Sequence, residues 1–339
     1  MHARKLLSIV VASAVALSPA MAGPALLFDP ANGRVLYAED QDDQWFPASL
    51  TKILTAYLVF EAIRDGKLDL QDKVKVSEPA FSQPPSRLGL PVGAEITVEV
   101  ALQALIVKSA NDAAVMLAEA VAGSQEAFAE RMNATAKRLG MTRSNFVNAN
   151  GLPDAEQVST ARDLARLTIA VVRDFPSYAH LWAMEEMRFG KRVMRNHNPL
   201  LRSYEGADGM KTGFICDSGF NLVASASRNG QKLVAVVLGE VTGGERSTRA
   251  ANLLEHGFQT LGWKALFGTE SLDTLPLAAD AKSAVSIRQS VKAWACGTAG
   301  RRTVRAKNKN KGKRTAAAAA AKAKAGSAPA KAKASPATK

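Results

Sequence analysis

Phe46-Pro47-Ala48-Ser49-Leu50-Thr51-Lys52 sets a serine and a lysine one helical turn apart at the mouth of an apolar helix. Pro47 favours extended chain just before it, and Ile53, Leu54, Tyr57, Leu58, Phe60 and Ile63 then recur at helical spacing. The pattern predicts a helix from about Ser49 to Arg64. Positions i and i+3 share a face with Cβ atoms about 5–6 Å apart, so the Lys52 amine can reach the Ser49 hydroxyl. A serine is a weak nucleophile without an adjacent base, and a lysine is that base only when burial or a neighbouring cation keeps it neutral. The apolar run after Lys52 suits such burial. The same residues also read as a polar helix start before a core helix, and Ser-x-x-Lys arises by chance about once in a chain of this length. The assignment therefore needs support elsewhere.

A chain of 339 residues has room for a sizeable core, in one large domain or two. Its net charge of +13 suggests nucleic acid only until its distribution is read. Residues 301–339 hold nine lysines, four arginines and no acid, so residues 1–300 are balanced and the excess belongs to an appendage. No nucleic-acid partner is expected. At the other end, Arg4 and Lys5 precede an apolar stretch from Leu6 to Leu17, and Ala20-Met21-Ala22 offers a small-x-small cleavage site. Residues 1–22 thus read as a secretory signal peptide, with the mature chain starting at Gly23 and residing in the periplasm or another extracytoplasmic space. An uncleaved anchor is the alternative, but the stretch is short of the ~20 residues a spanning helix needs. In an oxidising compartment the two cysteines, Cys216 and Cys296, either pair or stay free, and sequence leaves that open.

Along the mature chain, apolar runs at 25–28 and 34–38 flank a turn-rich link containing Asn32-Gly33, which predicts a hairpin feeding into the Ser49 helix. Residues 65–97 are loop-rich, and an apolar helix is expected from Thr97 to Val107. Lys108-Ser109-Ala110-Asn111-Asp112 interrupts the helical pattern before it resumes from Ala113 to Val121. A hydroxyl and a carboxamide two residues apart in such a link can relay a proton and hydrogen-bond a bound amide. Equally, Ser109 or Asn111 can simply cap the next helix.

A further helix is predicted from Ala161 to about Arg173, and then comes Asp208-Gly209-Met210-Lys211-Thr212-Gly213-Phe214. Beyond it, Gly219 to Ser227 and Lys232 to Gly239 are β-leaning runs joined through Arg228-Asn229-Gly230, so Lys211 sits on or beside the first strand of an antiparallel meander. Lys211 and Thr212 can bind a carboxylate there, and Gly213 leaves room for a ligand backbone. Lys211 is also a second positive charge able to lower the Lys52 pKa. The plain alternative is an exposed edge lysine before a turn.

In this order and with wide gaps, Ser49 with Lys52, Ser109 with Asn111, and Lys211-Thr212-Gly213 resemble the S-x-x-K, S-x-N and K-T-G set of penicillin-binding proteins and class A β-lactamases. The residues around them look closest to the low-molecular-weight penicillin-binding proteins, the serine-type D-alanyl-D-alanine carboxypeptidases of peptidase family S11, over about residues 24–262. The resemblance implies an α/β fold of the α+β type, β-lactamase/transpeptidase-like, with an antiparallel sheet packed by helices and a mainly helical region carrying the first two motifs. The expected organisation is a catalytic domain over 23–262, a short extension over 263–300 and a disordered basic tail over 301–339.

The resemblance further implies Ser49 as the acylated nucleophile, Lys52 as its base and Ser109 as a proton shuttle toward the leaving D-alanine. Asn111 would hold the peptide, and Lys211 and Thr212 would face its terminal carboxylate beside Gly213. The backbone N–H groups of Ser49 and Phe214 would form the oxyanion hole, and Arg246, in preference to Arg249, would lie near the carboxylate. The implied substrate is a peptidoglycan stem peptide, and β-lactams would acylate the same serine. Two positions depart from the family pattern, since Asn150 and Phe214 stand where histidine is common. The histidines show no ligand spacing and no phosphate loop appears, so no metal, cofactor or nucleotide is expected. The basic tail is a candidate contact for anionic lipid or wall polymer. The competing readings are a β-lactamase, for which no acidic residue is evident to activate the deacylating water, a D,D-endopeptidase, and a catalytically silent wall-binding or β-lactam-sensing protein.

Overall fold

The computed structural model describes residues 23–267, 270–291 and 293–296. The expected signal peptide and basic tail lie outside the described residues. In chain order the elements are β1 (Ala25–Phe28), β2 (Val35–Glu39), α1 (Thr51–Arg64), β3 (Lys73–Lys75), α2 (Glu78–Phe81), β4 (Glu95–Thr97), α3 (Val98–Gln103), α4 (Asn111–Ala122), α5 (Gln125–Arg138) and α6 (Ala161–Asp174). There follow α7 (Ala179–Trp182), β5 (Glu186–Phe189), β6 (Arg192–Arg195), α8 (Leu200–Ser203), β7 (Ala207–Ile215), β8 (Gly219–Arg228), β9 (Gln231–Glu240), α9 (Gly243–Phe267) and α10 (Ala293–Cys296).

One five-stranded antiparallel sheet, ordered β2-β1-β9-β8-β7, joins the first hairpin to the late meander. Asn229 and Gly230 both take positive φ between β8 and β9, as a two-residue hairpin turn requires. Alternation along the strands splits the buried residues. Leu27, Leu222, Leu233, Ala235 and Val237 meet Ala250, Leu253 and Leu254 of α9 on one face. Leu26, Phe28, Val223, Val234 and Val236 belong to the core of the helical region on the other.

Helix α1 runs through that region, with every residue from Thr51 to Phe60 buried, and a helix apolar all round has to sit inside. Its first turn is a 3-10 segment over Ala48–Leu50, so the Ser49 hydroxyl enters at the helix mouth. The apolar run after Thr97 starts as predicted, with the Thr97 hydroxyl accepting from Val100 N–H at 3.2 Å. It ends as a wide π turn over Ala104–Lys108, and Ser109 then takes φ 56°. A non-glycine residue in the left-handed region is strained, and here it turns the link between α3 and α4 into the cleft.

The loop-rich stretch after α1 contains the small elements β3, α2 and β4. Helix α5 and the β5–β6 hairpin fall where sequence reading assigns no element. Both are edge features: the exposed face of α5 is strongly polar, and the hairpin buries only Met187 and Met194 among its strand residues. The described part of the C-terminal segment, residues 270–291, packs onto the domain. It returns across the domain, and Cys216 and Cys296 are joined in a disulfide.

Candidate active site

The three motif stretches converge on one open cavity of about 410 Å³, whose lining includes Ser49, Ser109, Asn111, Thr212, Gly213 and Phe214. Lys52 lies beneath it, fully buried. Lys52 Nζ is 2.9 Å from Ser49 Oγ, 2.8 Å from Asn111 Oδ1 and 2.5 Å from the Asn150 carbonyl oxygen. The Asn111 amide is oriented by its Nδ2, which donates to the Pro84 carbonyl at 2.9 Å. Two of the three lysine neighbours are therefore pure acceptors. A neutral amine has two N–H bonds and one lone pair, so Asn111 and Asn150 take the N–H bonds and the lone pair is left for the Ser49 hydroxyl proton.

Burial, and then the positive charge of Lys211, hold the Lys52 pKa well below its ordinary value, with Asp112 opposing. Asp112 is itself occupied: its carboxylate accepts from the N–H groups of Leu88, Gly89 and Ala113. It thereby staples the 82–90 loop beside the cavity and leaves its charge only at a distance.

Lys211, 1% exposed, is an interior side chain and not an edge lysine. Its Nζ donates to Ser109 Oγ at 2.9 Å and to the Thr212 carbonyl at 3.1 Å. Burial and then the charge of Arg246 bring its pKa down to about 7. Ser109 does not cap α4, whose N-cap is Ala110 with no side-chain cap bond. Asn111 is used on Lys52 and the 82–90 loop instead.

Arg246 on α9 also lines the cavity, 7% exposed, with its guanidinium 5.9 Å above the Phe220 ring. Its Nε is buried without a hydrogen-bond partner, and no carboxylate pairs with it among the described residues. Burial lowers its pKa to about 10. Arg249, by contrast, is bound to Glu39, Glu240 and the Gly23 carbonyl, which fixes it as a link between sheet and helix. An unmet arginine beside a buried lysine and the Thr212 hydroxyl has the charge and donors that a carboxylate would need.

Gly213 borders the cavity, but the place of a side chain there is taken by the protein itself: a Cβ would lie 2.7 Å from the Pro47 carbonyl oxygen. The glycine lets β7 close on the 3-10 turn of Ser49, where sequence reading had reserved the space for a ligand backbone. Gly151, at φ +79°, is tighter still, since a Cβ would fall 1.8 Å from the Ala48 carbonyl oxygen.

Among the lining residues that sequence reading does not assign to the site are Ser86, Asn150 as a lysine acceptor, His197 and Phe220. Phe220 packs against Phe214 with ring centroids 4.2 Å apart and planes tilted by 31°, giving the cavity an aromatic wall. His197 keeps an open side to solvent, yet desolvation by the cleft and the charges of Lys211 and Lys108 lower its pKa to about 4. The spacing of the histidines carries no information about the place of His197 in the cleft. The useful signal was the polar link Asn196-His197-Asn198-Pro199, which Asn198 Nδ2 ties to the Gly209 carbonyl of the third motif strand at 2.9 Å.

A serine and a lysine at the head of a buried helix, faced by a Lys-Thr-Gly strand on an antiparallel sheet, define the β-lactamase/transpeptidase-like class. Residues 11–242 match the family model described as D-alanyl-D-alanine carboxypeptidase, Peptidase_S11. The chain belongs to this family, the low-molecular-weight penicillin-binding proteins. It is 39% identical over 241 residues to the D-alanyl-D-alanine carboxypeptidase DacC of Escherichia coli, covering 69% of this chain and 60% of the relative. Among solved structures it is similar to penicillin-binding protein 5 of Haemophilus influenzae, with a TM-score of 0.68, 35% identity and coverage of 70% of this chain and 71% of that one. It is also similar to cefotaxime-bound penicillin-binding protein D2 of Listeria monocytogenes, with a TM-score of 0.64, 31% identity and coverage of 70% and 97%. The chain spans 60% and 61% of the length of the first curated relatives it matches.

Proposed function

We propose that the protein is a serine-type D-Ala-D-Ala carboxypeptidase that removes the terminal D-alanine of peptidoglycan stem peptides outside the cytoplasm, and that β-lactams acylate it at the same residue. The observation that carries this reading is the environment of the Lys52 amine: its N–H acceptors are Asn111 and Asn150, and Ser49 Oγ lies at 2.9 Å on the remaining, lone-pair side.

As Ser49 Oγ attacks the penultimate D-alanine carbonyl, its proton passes to Lys52 Nζ. The oxyanion is held by the N–H groups of Ser49 and Phe214, whose residues both border the cavity. The C–N bond breaks, the departing D-alanine amine takes a proton through Ser109, and its carboxylate rests among Lys211, Thr212 and Arg246. Water then attacks the Ser49 ester and frees the shortened peptide, returning the serine proton. Lys211 supplies Ser109 with charge and orientation through the 2.9 Å contact.

The β-lactamase alternative is less well supported, because no aspartate or glutamate borders the cavity among the described residues. The test is incubation of the mature protein with a diacetyl-Lys-D-Ala-D-Ala peptide and, separately, with a labelled penicillin. Release of D-alanine and a penicilloyl adduct on Ser49 are expected. An adduct elsewhere, or ligand binding to Ser49→Ala with no D-alanine released by the wild type, would turn the assignment to a sensing protein.

A further inference from the structure

The C-terminal segment binds the two chain stretches that bring the proposed oxyanion amides together. It starts beside the first hairpin, where Val35 N–H donates to the Glu270 carbonyl at 3.0 Å and Leu272 N–H donates to the Gly33 carbonyl at 2.9 Å. Leu272 is buried in the core. The segment then runs over Arg162 of α6, which is 2% exposed. Two of its five N–H bonds go to the Asp42 carboxylate at 2.6 and 2.8 Å. The other three go to the Leu272, Leu275 and Pro276 carbonyls at 3.0, 2.8 and 2.9 Å. All donors of a buried guanidinium are thus used, three of them on this segment.

It next lies along the approach to Ser49. Ala278 N–H donates to Asp42 at 3.1 Å, Lys282 N–H to Asp43 at 2.8 Å, and Gln44 N–H to the Lys282 carbonyl at 2.9 Å. Finally it reaches the β7–β8 turn just beyond Phe214. Ile287 N–H donates to the Asp217 carbonyl at 3.0 Å, while Ser286 Oγ and Arg288 Nη2 donate to the Asp217 carboxylate at 2.6 and 2.7 Å. Cys296 closes the path by its disulfide to Cys216, two residues after Phe214. The two braced stretches also meet directly, since Trp45 Nε1 donates to the Ser218 carbonyl at 2.9 Å.

We propose that residues 270–291, closed by Cys216–Cys296, form a positioning strap that fixes the separation of the Ser49 and Phe214 backbone amides and so tunes the oxyanion hole. The inference rests on the acyl-enzyme reading above. An oxyanion hole is sensitive to such bracing because its donors act over about 2.7–3.1 Å, and misplacement by about 1 Å can cost on the order of 100-fold in rate. The strap holds each amide from outside, by a chain anchored on neither motif. Cys296, Asp217 and Arg288 are positioning residues and touch no substrate.

The test compares oxidised wild type, wild type reduced with a phosphine, Cys296→Ser and Arg288→Ala, each acylated with a labelled penicillin. The surface Arg288 variant removes the guanidinium contact to Asp217 without disturbing the core or the disulfide. Near-ultraviolet circular dichroism checks that each form is folded. The readouts are the acylation rate and the infrared stretch of the acyl carbonyl, which moves to higher frequency when oxyanion hydrogen bonds lengthen. We expect acylation to slow by roughly ten-fold on reduction, with the carbonyl band raised and the affinity for a non-acylating peptide carboxylate unchanged. Identical rates and bands in folded forms would overturn the strap alone. Loss of fold in all three altered forms would make the segment a stability clamp and also overturn it. Absence of a Ser49 adduct in oxidised wild type would overturn the acyl-enzyme reading and, with it, this one.

Discussion

Lys211 and Ser109 stand 2.9 Å apart, Nζ to Oγ, across 102 residues of sequence. The contact brings a second buried lysine to the same site as Lys52. Two lysines in one interior cannot both be charged without cost, and their environments separate them. Lys52 is depressed well below its ordinary value, while Lys211 comes down to about 7. The favoured state is neutral Lys52 with charged Lys211, which is the pairing a base and a carboxylate receptor need.

This separation predicts the pH dependence. In the proposed carboxylate receptor, Lys211 binds as the ammonium, present below about pH 7 and lost above it in the free protein. For a peptide with a free terminal carboxylate, kcat/KM should therefore fall on the alkaline side with a midpoint near 7, since it reports free-enzyme groups. At saturation the bound carboxylate favours the ammonium, so the alkaline limb of kcat should move to higher pH. A flat kcat/KM between pH 6 and 9 would contradict it.

Burying these amines also opposes stability. With a folded pKa below the unfolded one, Lys211 binds less proton when folded, so its contribution to stability rises as pH goes from about 7 toward 10.5. Lys211→Met should raise the melting temperature at pH 7 while removing peptidase activity. Calorimetry of the two proteins at pH 7 and pH 10 is the check, and the gap should narrow at the higher pH.

Arg246→Ala should lower kcat/KM for the carboxylate peptide by about 10- to 100-fold, the range for one charge-assisted hydrogen bond, and leave the C-terminal amide of the same peptide little affected. Equal losses on both would place Arg246 outside the carboxylate receptor.

Gly151→Ala should prevent penicillin labelling and cost more than about 2 kcal/mol in urea unfolding. Its Cβ would lie 1.8 Å from the Ala48 carbonyl oxygen at a φ of +79°, so the turn that carries Ser49 has to move. Labelling at the wild-type rate would show that the turn relaxes without consequence for the nucleophile.

Asp42→Ala leaves Arg162 buried and unpaired, a change that costs about 3–5 kcal/mol. Burial opposes ionisation of Asp42, but hydrogen bonds and charge from Arg162 keep its pKa below the usual carboxylate range. The pair therefore contributes stability above about pH 4, which is lost as pH falls through the folded pKa. An acid titration of wild type against the variant should show the difference closing below that point.

Much of the scaffold was legible because it obeys local rules. The apolar spacing after Lys52 predicted α1, and Asn229-Gly230 predicted the β8–β9 turn. The order of the three motifs supplied Ser49, Lys52, Ser109, Asn111, Lys211 and Thr212, which the fold brings to one cavity or directly beneath it. Helix α5 was missed although Phe128, Met132, Thr135 and Ala136 are buried at helical spacing, and the β5–β6 hairpin because only Met187 and Met194 of its strands are buried. The reason for Gly213 was invisible too, because the Pro47 carbonyl that excludes a side chain is 166 residues away in sequence, yet lies only 2.7 Å from where a Cβ on Gly213 would sit.

What sequence by itself determined was the covalent chemistry on offer: which hydroxyl, which amines, and the one-turn spacing that an α-helix converts into contact. Tertiary structure alone decided the charge states, since desolvation and the Lys52–Lys211 repulsion exist only once both amines are enclosed. It also decided that Cys216 meets Cys296 and that Arg162 gathers the returning chain. Those contacts join residues 80 and 110 positions apart, and no local pattern encodes a distance of that kind.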